Sequence, residues 1–124
     1  MKSNLKDILE SIPDFEDFMK LASEIAELSL KKMQLENIIR AKESKAVTQV
    51  NIDQGYWMNG KPPSMSYIES TYKYTGVDGK LVEDRSKLAE TTAMLEKKKI
   101  QLSIYRDMIN LFQTVSANER SQGF

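Results

Sequence analysis

The sequence contains no cysteine and no histidine among its 124 residues. These absences exclude disulfides, thiolate nucleophiles, imidazole metal ligands and histidine general bases. Only five glycines are present, scattered among turns, so no glycine-rich loop could cradle a phosphate. No apolar run approaches the roughly 20 residues that cross a bilayer, and no apolar signal-peptide core is found at the N-terminus. We therefore predict a cytoplasmic protein that is not an enzyme, with no catalytic residue, cofactor, metal, small-molecule substrate or membrane partner.

The chain also lacks net charge, because 18 basic residues balance 18 acidic ones. A neutral chain has no global attraction to phosphate, so any nucleic-acid binding must be local. The charges are unevenly distributed: residues 1–30 hold three basic and seven acidic side chains, whereas residues 31–45 hold five basic and two acidic ones. With 40% hydrophobic and 29% charged residues, the composition is typical of helix-rich, ordered proteins.

The longest regular pattern covers residues 83–118 and predicts one long helix. Its apolar residues recur at alternating three- and four-residue steps when Thr91 and Lys98 are accepted as weak members. This heptad seam contains Leu88, Leu95, Leu102, Tyr105, Ile109 and Phe112. A neighbouring stripe of Ile104, Met108, Leu111 and Val115 widens the apolar arc beyond what one partner helix covers. We therefore predict a homo-oligomer whose interface contains Leu88, Leu95, Leu102, Tyr105, Met108, Ile109, Phe112 and Val115.

A second long helix is predicted over residues 14–45, preceded by a short helix over 3–12 that Pro13 interrupts. Its start contains the acidic residues Asp14, Glu16 and Asp17, whose negative charges interact favourably with the positive end of the helix macrodipole. A carboxylate metal site is the alternative for this acidic group. An antiparallel pairing of the long helices would place Lys45 near Ser86 and Lys32 near Lys99. That register would form a basic belt of Lys31, Lys32, Lys97, Lys98 and Lys99.

The connection over residues 46–82 is too long for a structureless loop inside a compact domain. Its alternating β-branched and aromatic residues, together with the Asn59-Gly60 and Asp78-Gly79 turns, predict one or two short β-hairpins. The predicted fold is therefore mainly α. One domain, 1–124, contains two long antiparallel helices, a helical hairpin or coiled coil, joined by a small β-hairpin-containing connection and ending in a tail over 119–124.

Aromatic residues in the connection alternate with lysines. In proteins that bind single-stranded nucleic acid, aromatic rings stack on the bases and cationic side chains pair with the phosphates. The aromatic residues are Tyr56, Trp57, Tyr67, Tyr72 and Tyr74. The candidate nucleic-acid-binding residues are Lys31, Lys32, Trp57, Lys61, Lys73, Lys97, Lys98 and Lys99. Two structural interpretations remain open: the lysines could form a solvated helix face, and the aromatic residues a small core or a contact between subunits.

The order of parts resembles that of the phage recombination-mediator family UvsY. The similarity lies in Tyr56-Trp57 followed by Gly60-Lys61 after the first long helix, and in Arg120 and Gly123-Phe124 at the end. It covers the chain from about Leu30 onward, although Arg120 is spaced from Gly123 and the family tends to be more basic. Membership would imply a ring-like homo-oligomer in the cytoplasm of a phage-infected bacterium that binds single-stranded DNA and helps load a recombinase.

The β-type prefoldin subunits offer an alternative resemblance, because they too join two long coiled-coil helices through β-hairpins. Tyr72-Lys73 and Gly76, just before the second helix, are similar to that family's hairpin strand. This resemblance would imply a chaperone or scaffolding protein that binds other proteins and no nucleic acid.

Overall fold

The computed structural model describes residues 6, 7, 10 and 12–121, and its main elements are two long helices. The elements are α1 (Phe15–Ile52), a 3-10 helix (Gln54–Tyr56), α2 (Met65–Ile68), a π-helix (Glu69–Lys73) and α3 (Leu81–Ser121). The mainly helical class is therefore confirmed. The short helix predicted over 3–12 and the end of the tail lie largely outside the described residues. Within the described chain, no helix is both long and apolar enough to cross a membrane.

α1 begins at Phe15, one residue after the predicted start at Asp14, and side-chain hydrogen bonds define this start. The Asp17 N–H donates to Asp14 Oδ1 at 3.0 Å, while the Asp14 N–H donates to Asp17 Oδ2 at 3.2 Å. This reciprocal cap satisfies backbone donors that the first helical turn leaves unpaired. The acidic residues at this position therefore have a structural role as a helix start.

The end of α1 lies at Ile52, seven residues beyond the predicted end at Lys45. Ala46 and Val50 lie seven and eleven residues after the buried Ile39, on the same helical face, and are 4% and 0% exposed. Burial of these side chains outweighs the low helix propensity of β-branched residues. Strands were predicted from the alternating β-branched residues of the connection, and for Val50 and Ile52, which lie in α1, that prediction is wrong.

The chain divides into two compact units, the first formed by residues up to Leu28 and from Met94, the second by Ser29–Ala93. In the first unit the two helical segments pair antiparallel, as predicted. Leu21 and Leu95 are almost fully buried, and the rings of Phe18 and Tyr105 meet edge to face with centroids 5.5 Å apart. Two members of the predicted heptad seam, Leu95 and Tyr105, thus lie in the contact between the segments of this unit.

The second unit buries a separate set of side chains, again between antiparallel segments of α1 and α3. The buried residues are Ile39, Ala46, Val50, Ile68, Leu81 and Thr91. Thr91, a weak member of the predicted seam, is only 2% exposed. Lys42 Nζ lies 2.6 Å from Asp84 Oδ2, and Arg85 pairs with Glu43. These pairs replace the predicted neighbours Lys45 and Ser86, so the predicted register is wrong.

The connection is helical where strands were predicted. Among the described residues it contains no strand, only an isolated bridge between Met58 and Lys61. Ser64 caps the N-terminus of α2, because its Oγ accepts a hydrogen bond from the Tyr67 N–H at 3.2 Å. Ile68, which is 0% exposed, and Tyr72 then lie four residues apart on one helical face. The predicted hairpins at the tip are therefore wrong, because helical rather than alternating spacing buries Ile68.

Both predicted turns are present. Asn59 and Gly60 have φ of 55° and 76°, and the Met58 and Lys61 backbones exchange hydrogen bonds of 3.0 and 3.1 Å across them. Two successive residues of positive φ are characteristic of the tightest hairpin turn. At the second turn, the Lys80 N–H donates to Asp78 Oδ1 at 3.0 Å, immediately before α3 begins. The turn chemistry was therefore predicted correctly, although the segments that the turns join are not strands.

Candidate nucleic-acid interface

Three tyrosines of the connection form a cluster, which we call the tyrosine cluster. Tyr56 and Tyr72 meet edge to face with ring centroids 5.4 Å apart, and Tyr67 and Tyr72 with centroids 6.2 Å apart. Burial raises the pKa of Tyr72, and the neighbouring Tyr67 and Tyr56 raise it further. Edge-to-face pairs contribute about 0.5–1.5 kcal/mol beyond their buried area, so the cluster stabilises the connection. Tyr67, 40% exposed, still presents part of its surface to solvent.

Trp57 is half-buried, and its polar edge is already occupied. Its indole N–H donates to the backbone oxygen of Asn51 at 3.0 Å. The preceding 3-10 helix is held by Asp53, whose Oδ1 accepts from the Gly55 N–H at 2.9 Å. Trp57 therefore anchors the connection to the end of α1, and only part of its ring could stack on a base.

Tyr74 carries the most exposed aromatic ring of the connection, at 61% exposure. Arg85 lies over this ring, with its guanidinium carbon 4.3 Å from the centroid, and its Nε donates to the Tyr74 backbone oxygen at 2.8 Å. The same guanidinium pairs with Glu43 of α1. Arg85 thereby fixes one face of the ring by a cation–π contact. The exposed part of the Tyr74 ring remains available to a ligand.

The predicted lysines are divided between the two units. Lys31, Lys32, Lys61 and Lys73 belong to the second unit, whereas Lys97, Lys98 and Lys99 belong to the first. Lys98 Nζ lies 2.7 Å from Glu24 Oε2, and Lys99 Nζ lies 3.7 Å from Glu96 Oε1. The hydrogen bond from Lys98 is the main cause that lowers the pKa of Glu24. The register that would align Lys98 and Lys99 with Lys32 is therefore wrong, because residue 98 faces Glu24.

Sequence reasoning missed a lysine-lined cleft of about 270 Å³ in the second unit. Its walls include Lys42, Lys45 and Gln49 of α1 and Val77, Asp78 and Lys80 of the segment before α3. The three-residue spacing of Lys42 and Lys45 places both on one side of α1. The sequence shows that spacing, but only the fold brings Lys80 beside the two lysines.

The described residues contain no group of three or more acidic side chains that could hold a metal ion. Several carboxylates instead stabilise helix ends or form ion pairs. Asp14 caps α1, Asp78 accepts a hydrogen bond from the Lys80 N–H, and Asp84 pairs with Lys42. These are the helix-start and ion-pair roles common for carboxylates at such positions.

No protein family matches the sequence, no curated protein is similar to it, and no solved structure matches its fold. The residues and geometry of the chain itself are therefore the basis for inferring its function.

Proposed function

We propose that the chain is a non-enzymatic, homo-oligomeric accessory protein of phage-type recombination. In the cytoplasm of an infected bacterium, it would bind single-stranded DNA and assist the loading of a recombinase. The observation that carries this proposal is the exposed Tyr74 ring, held from one side by Arg85 beside the tyrosine cluster. The resemblance of Tyr56-Trp57 and Gly60-Lys61 to the UvsY pattern supports the same choice of ligand.

An aromatic ring that is rigid and exposed suits unpaired bases. Every base has a π-face, so stacking on a tyrosine requires no particular sequence and contributes about 1–3 kcal/mol per base. Lys73, beside Tyr74 in the chain, and Lys61, at the Asn59-Gly60 turn, supply cations for the adjoining phosphates. The bases of a duplex are already stacked, so this arrangement favours single strands.

Self-association is supported by the outer stripe, which consists of Ile104, Met108, Leu111 and Val115. Ile104 and Leu111 are 48% and 52% exposed, whereas the seam residue Leu95 is 2% exposed. Leu95 is thus already covered within the chain, whereas Ile104 and Leu111 of the outer stripe remain exposed for contact with another copy. We therefore propose that the outer stripe, with Met108 and Val115 from the predicted interface, forms the main contact between subunits.

A mechanism follows in which many weak sites act together. One neutral subunit with few phosphate contacts would bind a single strand weakly, but an oligomer presents several copies of the site to the same strand. Tethering raises the effective concentration of each further site once the first has bound. A strand held in this way along several subunits would be presented to the recombinase in an extended form.

The DNA-binding proposal is tested by fluorescence anisotropy of a labelled single-stranded oligonucleotide at low and high salt, with Trp57 emission followed in parallel. We expect saturable, salt-sensitive binding that is tighter than to the matching duplex. Tyr74→Ala should weaken binding, whereas the control Tyr74→Phe keeps the ring and should bind like the parent. No binding at low salt would refute the proposal.

The interface proposal is tested separately by sedimentation. Leu111→Asp places a charge in the outer stripe and should reduce the oligomer to smaller species. Gln113→Asp is the matched control, because it adds the same charge at an exposed polar position of α3. An unchanged sedimentation coefficient for Leu111→Asp would show that the outer stripe is not the interface.

A chaperone or scaffolding protein that binds other proteins is the second candidate, and exposed apolar side chains favour it. Phe15, Met33 and Ile100 are 76%, 60% and 60% exposed. Such surface is what unfolded or partner proteins recognise. This candidate predicts suppression of aggregation of an unfolded test protein, with no salt-sensitive DNA binding. The anisotropy experiment therefore separates the two candidates.

A further inference from the structure

We propose that the lysine-lined cleft of the second unit is a phosphate-binding site, with Lys45 and Lys80 as its principal ligands. We take the source of the phosphate to be the backbone of a single DNA strand, and this choice rests on the proposed function. The chemistry is shared with free polyphosphates, and the experiment below distinguishes the two sources.

The cleft concentrates positive charge from two different segments. Lys42 and Lys45 come from α1, and Lys80 comes from the segment that leads into α3. Lys42 forms an ion pair with Asp84, with 2.6 Å between Lys42 Nζ and Asp84 Oδ2. Among the described residues, Lys45 and Lys80 take part in no ion pair, and both are exposed. Two ammonium groups are therefore available to an incoming anion.

The cleft already stabilises one negative charge on its wall. Asp78 accepts the Lys80 N–H at 3.0 Å, and this hydrogen bond, with the nearby charges of Lys80 and Lys42, lowers the pKa of its carboxyl. Because Asp78 is negative, it also opposes a second anion. Removal of that charge should therefore strengthen phosphate binding, an effect opposite in sign to the loss of a lysine.

The size of the cleft indicates the class of ligand. Its volume of about 270 Å³ lies below the range of about 300–1,000 Å³ that is typical of sites for whole drug-sized molecules. Among the described residues, its lining includes Gln49 but no aromatic side chain. The site therefore suits a phosphate group rather than a base, which would stack elsewhere.

The first experiment compares oligonucleotide binding across salt concentrations. The variant is Lys45→Gln with Lys80→Gln, and the matched control is Lys20→Gln with Lys87→Gln, two exposed lysines outside the cleft. Loss of two phosphate contacts should reduce the slope of log affinity against log salt by about 1.4, because each contact with a single strand contributes about 0.7. Asp78→Asn, which keeps the hydrogen-bond acceptor, should bind about two- to threefold more tightly.

A second experiment titrates the parent with inorganic tripolyphosphate and follows backbone amide shifts by NMR. Shifts at Gly76, Val77, Gly79 and Lys80 that disappear in the double variant would support the site. If these shifts occur while the double variant and control bind the oligonucleotide equally, the site is supported for free polyphosphate rather than DNA.

The two proposals can fail separately. If the parent binds no oligonucleotide at any salt concentration, the proposed function fails, and the tripolyphosphate shifts still decide the cleft. Absence of those shifts, together with equal salt slopes for the double variant and its control, would overturn the phosphate site.

Discussion

The burial of Ile68 provides the sharpest test of the helical connection. Ile68 is 0% exposed, whereas Ile52, of the same residue type and in the same unit, is 68% exposed. Replacement of each by alanine removes the same three carbon atoms. The two variants therefore differ in the burial of the site and not in the atoms removed. Ile68→Ala should lose much more stability than Ile52→Ala.

The magnitude follows from the burial. Transfer of three buried carbon atoms at about 0.8 kcal/mol each costs ~2.4 kcal/mol in Ile68→Ala. A residual cavity on the order of 50 Å³ adds ~1.2 kcal/mol at about 24 cal/mol per Å³. The total loss in the free energy of unfolding is therefore about 3.5 kcal/mol. Ile52→Ala should cost less than about 0.5 kcal/mol, because the site is exposed and alanine favours the helix.

The assay is urea unfolding followed through Trp57 emission, since Trp57 lies in the same unit as Ile68. Protein concentration must be equal for parent and variants, because self-association would add a concentration-dependent term to stability. Equal losses for Ile68→Ala and Ile52→Ala would refute the buried helical position of Ile68. A loss below about 1 kcal/mol for Ile68→Ala would do the same.

Two further predictions concern local interactions. Ser64→Ala should cost about 1 kcal/mol of stability by removing the cap of α2, and Ser64→Asp should restore it; equal urea midpoints for parent and Ser64→Ala would contradict the cap. The lowered pKa of Glu24 means that its stabilising contribution is complete above the ordinary carboxyl pKa of about 4.3 and is lost as pH falls below it. Between pH 6 and pH 3, the parent should therefore lose more stability than Lys98→Gln, and equal losses would show that the Lys98–Glu24 pair does not stabilise the fold.

The heptad seam could be predicted because its period is independent of tertiary context. Leu95 is buried where the three- and four-residue steps place it, and even Thr91 follows the pattern. Register could not be predicted in the same way, because sliding one helix past another by seven residues leaves the pattern unchanged. The connection fixes the register, so the wrong structure for the connection gave the wrong partners for Lys98.

The strand predictions failed where two periods were both compatible with the sequence. Ile68, Tyr72 and Tyr74 include the two-residue steps of a strand, but Ile68 and Tyr72 also fit the four-residue step of a helix. The cap at Ser64, directly after Pro63, was the local signal that decides between them. For the site, the aromatic residues were found by composition, whereas the cleft required the segments at Lys45 and Lys80 to be brought together by folding.

Arg85 has a consequence for how the second unit opens. The guanidinium of Arg85, which belongs to α3, pairs with Glu43 of α1. It also donates a hydrogen bond to the backbone oxygen of Tyr74 and lies over the Tyr74 ring. Local opening in proteins proceeds through cooperative groups of residues rather than single contacts. Release of Tyr74 would leave the charged pair without its third neighbour, so the segment around residue 74 and the adjoining helical turns should open together. Their amide hydrogens are therefore expected to exchange with solvent at a common rate, as one cooperative unit.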